Sequence, residues 1–313
     1  MSSLPPAPDR KSLHIYHPKH RKCPFAVLFA CRKRRLLLIF NTMKRPLFCE
    51  LCPLAFRLSR LKGIILRKLK DAISGLRFCR EKTSDALPHL IATHSSPIRR
   101  HLHGVKAVLQ ENKAKNIALA APCLNGIIIR PRETFSLWHA VGNTTARKGY
   151  LPGLVIACGK QTEGMGGGMC QLSNLLHWMV LHSSLSITEH HHHERYNLFP
   201  DDRRQVPFGL GTSIVYNYLD YRVTNNTPRT YQIMVWTDGE NLHGELRADR
   251  PEEQSYRIRV ERDCFTKEKD GIYRCCDIYR DITTADGHTS SSHLLSTHAR
   301  VMYDVAPEDI SAG

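Results

Sequence analysis

Three Asp-Gly pairs, at residues 238–239, 270–271 and 286–287, punctuate the last third of this 313-residue chain. Such a pair between alternating segments supplies the positive φ of a tight hairpin, so the runs on either side must pair antiparallel. The flanking runs meet that demand: "TYQIMVWTDGENLHGELRA", "SYRIRVERD" and "GIYRCCDIYRDI" alternate in polarity and are rich in β-branched and aromatic residues. "TSIVYNYLDYRVTN" precedes them with the same texture.

Upstream the period is helical. Leu54, Leu58, Leu61, Ile65, Leu69, Ile73 and Leu76 fall three or four apart, and Arg57, Arg60, Lys62, Arg67, Lys68 and Lys70 fill the polar side. Residues 105–124 read as a second helix, followed by short buried strands in "GIIIRPRETF" and "GLVIACGK". From Met169, apolar residues recur at Leu172, Leu175, Leu176, Met179 and Val180, a helix ending near residues 182–184. The fold class is therefore α+β: N-terminal helices, a glycine-rich turn leading into a cysteine-bearing helix, then an antiparallel meander. Four stretches are expected. Residues 1–42 lack periodicity and read as disordered or foreign to the natural protein; 43–100 form a basic helical arm, 101–228 a core domain and 229–313 a C-terminal β-meander.

Charge narrows the function. Of the net +16, the first 80 residues hold 19 basic against 3 acidic residues, and the remainder cancels. A neutral body argues against a nucleic-acid groove, and the basic arm suits an anionic membrane surface through residues 43–76. A helix packed on its own domain with a solvated basic face is the other reading of that arm. The 11 cysteines are irregularly spaced with one CxxC, at Cys49 and Cys52, which fits neither a zinc ribbon nor a disulfide scaffold. With no apolar run long enough to span a bilayer, a cytoplasmic protein is expected.

The chemistry gathers around "GMGGGMCQLSNLL". Gly166, Gly167 and Gly168 permit close backbone approach, and Cys170 falls in the first turn of the following helix. Unpaired N–H groups there favour a thiolate, so a lowered thiol pKa is expected, and the same groups can hold an oxyanion. The opposing reading is a small core residue behind a packing turn. "TEHHHHER" supplies a base about twenty residues on, with His191 and His193 on one side of an extended segment and His190 and His192 on the other. Two alternating histidines also suit a metal, but no third ligand declares itself, and neither metal nor cofactor is expected. In "FPDDRRQVPFGLG", Asp201 can orient an imidazole and Arg204 can bind a carboxylate, or either can form a loop ion pair.

These motifs, with "GIIIRPRETFSLWHAVGNTTARKGY" and "LFPDDRRQVPFGLGTSIVYNYLDYRVTN", resemble the VanW family from about Met43 to the strands near Asp304. The resemblance implies peptidoglycan or glycopeptide-resistance chemistry of the L,D-transpeptidase type, in which a cysteine takes an acyl group from a stem peptide and passes it to an amine. It makes Cys170 the nucleophile and matches His191 and His193 to the family's Glu-Arg-His-x-His-Ser pattern, with His190 and Glu194 departing from it. Asp201 and Arg204 match the family loop, whereas Arg203 stands where glycine is usual. Gly166, Gly167, Gly168, Gln171, Asp201 and Arg204 are the expected substrate contacts, and a peptidoglycan stem peptide or precursor the expected partner. A non-catalytic accessory protein of the same fold is the alternative, and a protein acting through its basic arm the third.

Overall fold

A computed structural model describes residues 52–100, 105–157, 160–192, 196–201 and 205–311. The expectation for residues 1–42 lies outside them, as do the roles given to His193 and Arg204. Helix α1 (Pro53–Ile73) leads through β1 (Arg77–Phe78) and β2 (His89–Pro97) to α2 (Ala107–Leu124). Next come β3 (Ile127–Ile129), β4 (Glu133–Ser136), α3 (Leu137–Val141), the hairpin β5 (Pro152–Ala157) and β6 (Lys160–Met165), and α4 (Met169–Leu181). Strands follow: β7 (Ser186–Glu189), β8 (Tyr196–Asn197), β9 (Arg222–Thr224), β10 (Tyr231–Thr237) and β11 (Asn241–Ala248). The long strands β12 (Gln254–Glu268), β13 (Gly271–Thr284) and β14 (Thr289–Val301), then β15 (Ile310–Ser311), complete the order. The α+β reading holds. Among the described residues no helix is long and apolar enough to cross a membrane.

The three Asp-Gly pairs sit at the β10–β11, β12–β13 and β13–β14 turns, each glycine at positive φ. The strands after residue 229 are nevertheless shared between two sheets. Strands β10 and β11 join the order β2-β11-β10-β3, while β12 to β14 form the centre of β15-β12-β13-β14-β8. The reason is burial: Tyr231, Ile233, Val235, Leu242 and Leu246 pack into the main core with Ile117, Ala120 and Leu124 of α2 and Leu172, Leu175 and Leu176 of α4. Helix α4 lies so close on β11 that a Cβ on Gly244 would stand 2.6 Å from Leu175 Cδ2. A smaller core of Leu181, Phe208, Leu210, Cys276, Ile278 and Ala299 joins the end of α4 to the C-terminal sheet. Helix α4 thus contributes to both cores, which fixes the position of its N-terminus.

Candidate active site

The turn before α4 is set by close packing. Gly168, the N-cap, takes φ 108°, and a Cβ there would lie 2.7 Å from Lys113 Cγ on α2. A Cβ on Gly167 would meet the backbone of Gly153 on β5, and one on Gly166 would meet Thr144. The chain's own atoms therefore occupy the space that these three glycines leave. Asn116, fully buried on α2, fastens the turn by donating to the Leu151 and Gly167 carbonyls, both at 2.9 Å, while its Oδ1 accepts from Leu151 N–H at 2.8 Å. Gln171 points to β2, donating to Ser96 Oγ at 2.8 Å and to the Pro97 carbonyl at 3.0 Å.

Cys170 is the second residue of α4, partly buried. Its thiol pKa is raised, against the sequence expectation of a lowered one. Burial is the larger effect, and the backbone N–H groups of Ile214 and of Cys170 itself offset it only in part. Beneath it runs a polar seam along α4. Ser173 Oγ donates to the Cys170 carbonyl at 3.0 Å and pairs with Thr212 Oγ1; Thr212 donates from N–H and from Oγ1 to Asn174 Oδ1, at 2.7 and 2.8 Å. Thr212 in turn bridges antiparallel to His192, and Ser213 N–H donates to the His191 carbonyl at 2.6 Å. The histidine segment, the 212–214 segment and α4 are thus stitched together in that order.

Over the described histidines, His190 to His192, the expected alternation is present, with a consequence for their roles. His190 stacks on His177 of α4 with ring centroids 4.0 Å apart, and His192 lies 5.7 Å from His190. His191 turns to the other side and pairs with Glu189 at 3.1 Å. Burial, with the neighbouring His192, holds the His177 imidazole neutral down to a pKa of about 3, and burial likewise depresses His190. Tyr221, fully buried, lies 3.4 Å from His177 Nδ1 through its hydroxyl. Among the described residues, backbone amides rather than an imidazole act on the Cys170 sulfur.

A second feature escaped the sequence reading: a buried ionic network at the end of β7, beside the histidine segment. Glu189 takes Arg67 of α1, His191 and the Asp220 N–H. Arg222 holds Asp71 of α1 with two bonds of 2.7 Å and Asp220 with one of 2.9 Å. Asp220 accepts from Ser136 Oγ and Trp138 N–H as well. Burial works against a charged Glu189, but the bonds from His191 and Arg67 prevail and bring its pKa down to about 2. The available signal was Asp220 and Arg222 two apart in a strand run, hence on one face. Asp201 pairs at 2.6 Å with Arg274, whose guanidinium also covers the Phe208 ring, so it ties its loop to the C-terminal sheet.

Lys113 beside Gly168 is another residue missed from sequence; burial, with Arg100 nearby, lowers its ammonium to about 8. Cys52 is a second thiol at a helix N-terminus, exposed and accepting from Ala55 N–H at 3.4 Å. Two grooves, of about 430 Å³ around His89, His182, Glu252 and Tyr256 and about 410 Å³ around Cys264, Cys275 and His298, are not lined by Cys170. Among the described residues no group of three or more His, Cys, Asp or Glu side chains is placed to hold a metal ion.

An α+β chain with a cysteine behind a glycine turn, seated on a helix shared by two cores and flanked by a histidine segment, defines a distinctive class. Residues 112–247 match the family described as VanW like protein. The chain is 34% identical over 244 residues to "Vancomycin B-type resistance protein VanW" of Enterococcus faecalis (strain ATCC 700802 / V583), covering 76% of this chain and 88% of that protein. It is also 32% identical over 115 residues to "Uncharacterized protein YoaR" of Bacillus subtilis (strain 168), covering 37% of this chain and 36% of that one. No solved structure matches. The chain belongs to the VanW family.

Proposed function

We propose that this chain acts in glycopeptide resistance, as the name of its enterococcal relative suggests, through cell-wall chemistry in which Cys170 carries acyl groups taken from peptidoglycan stem peptides or their precursors. The supporting observation is the seat of Cys170: second residue of a helix behind a left-handed glycine cap, with the Ile214 N–H directed at its sulfur. The same N–H groups that solvate a thiolate can hold the oxyanion that forms when sulfur attacks a carbonyl.

In this reading the Cys170 thiol is protonated at rest and needs a base at the moment of attack. We assign that role to His193 on the family pattern. The thiol proton passes to the imidazole, a C–S bond forms, the peptide C–N bond breaks, and the proton leaves on the departing amine. An acceptor amine then attacks the thioester, a C–N bond forms, the C–S bond breaks, and the amine's proton passes through the same imidazole to the released sulfur. A stem tetrapeptide with an added amine should release its C-terminal amino acid in the presence of the wild-type chain. Cys170→Ser should abolish the release, and His193→Gln should slow it most near neutral pH.

One observation favours a second reading. Burial holds the thiol up, and the groups acting on it are backbone amides. A non-catalytic accessory protein, with Cys170 as a packing residue at the head of α4, meets that description. No release by the wild-type chain above the protein-free rate would select it.

A further inference from the structure

Helix α1 is docked the wrong way round for an ordinary amphipathic helix. Its docked positions are buried Ala55 and half-buried Ser59, Gly63, Ile64, Arg67 and Asp71, a line one to four residues apart that carries only one large apolar side chain. Arg67 and Asp71 reach inward to Glu189, Asp220 and Arg222, so the charged edge makes the attachment. The apolar stripe faces out. Leu54, Leu58, Leu61, Ile65, Leu69 and Ile73 all stand in solvent, Leu61 at 53%, Ile65 at 48% and Ile73 at 84% exposure. At 100° per residue these six side chains share one continuous face, and Leu66 borders it. Scattered exposed leucines are ordinary, but a contiguous stripe along a 21-residue helix marks an interaction surface.

Charge decides what it meets. Lys62, Lys68 and Lys70 are exposed within or beside the stripe, and the one acidic residue of the helix, Asp71, is turned inward. Tyr218, 46% exposed, stands beside Gly63 at the edge of the helix. An apolar face with a basic border and a flanking aromatic is the pattern of a helix lying in the headgroup layer of an anionic bilayer. We propose that the outward face of α1 seats this protein on an anionic membrane surface, with the ionic network as the joint between the membrane helix and the cysteine-bearing fold. The proposal is independent of the chemistry assigned to Cys170, and Cys170→Ser should bind vesicles as the wild type does.

The test is co-sedimentation of the full chain with vesicles of equal phosphatidylcholine and phosphatidylglycerol, against phosphatidylcholine alone, at low and high salt. Binding should be at least about tenfold tighter on the anionic vesicles and should weaken with salt. Leu61→Glu with Ile65→Glu should reduce it at least about tenfold while leaving the melting transition unchanged, since both residues are exposed. Lys62→Gln with Lys68→Gln should reduce the preference for anionic lipid and keep the residual binding. Equal binding to both compositions, or to neither, overturns the proposal. So does unchanged binding by the glutamate variant, which would move the contact away from α1. A dimer in light scattering that the same variant dissolves would assign the face to a second copy instead.

Discussion

Glu189→Gln tests whether the buried network holds α1 and β7 together. In the folded chain Glu189 has a pKa of about 2 against an ordinary 4.5, although its burial alone would raise it. That gap corresponds to about 3 kcal/mol of folding stability at pH 7, taken at 1.36 kcal/mol per pH unit. The side chain is 18% exposed and Asp71 and Asp220 remain to face the arginines, so a loss of about 2–3 kcal/mol is expected on substitution. A glutamine still accepts from Asp220 N–H but presents an amide donor toward Arg67. The sign with pH follows from a depressed carboxylate: its stabilisation is complete above 4.5 and is lost as pH falls through about 2. Urea unfolding of both proteins at pH 7 and pH 3.5 reads this out, with the difference smaller by about 1–1.5 kcal/mol at the lower pH. A difference under about 0.5 kcal/mol at pH 7, or one independent of pH, refutes the reasoning.

Three further outcomes are expected. Gly244→Val should destabilise the chain by about 1–3 kcal/mol in urea unfolding, because the new side chain enters the space of Leu175 and Met179 of α4. His177 is neutral in the folded chain down to about 3 while an unfolded histidine protonates near 6.5, so stability should fall on acidification through that window, by at most about 1.4 kcal/mol per pH unit; His177→Gln should flatten the slope between pH 6.5 and 4.5. Iodoacetamide followed by peptide mapping should label exposed Cys52 faster than Cys170 at neutral pH, and Cys52→Ser should leave acyl transfer unaffected.

The element order was readable because local signals and tertiary demands agree over most of this chain. Helix α4 begins at Met169 and its apolar spacing is met by core on both sides; the three Asp-Gly turns fall where β-hairpins form. The division of the later strands was not readable, since β11 and β12 have similar alternation and only their partners, β2 and β13, distinguish them. Helix α1 shows the same limit. Its 3.6-residue stripe is plain in the sequence, but periodicity does not reveal which face docks, and here two ionic side chains decide. For the site, the glycine turn, the place of Cys170 at the helix start and the alternation over His190–His192 were legible, whereas the Ile214 N–H that acts on the sulfur comes from a distant segment. Lys113 and the Glu189 network were hidden for the same reason: their partners lie far away in the chain.

Intact-mass spectrometry after incubation with stem tetrapeptides tests the role of Cys170 most directly. The expected product is an added acyl fragment, equal to the peptide less its C-terminal amino acid, that maps to Cys170, is discharged by neutral hydroxylamine as a thioester must be, and is missing in Cys170→Ser while present in Cys52→Ser. No adduct on the wild-type chain across neutral and alkaline pH, or an adduct that persists in Cys170→Ser, contradicts that role.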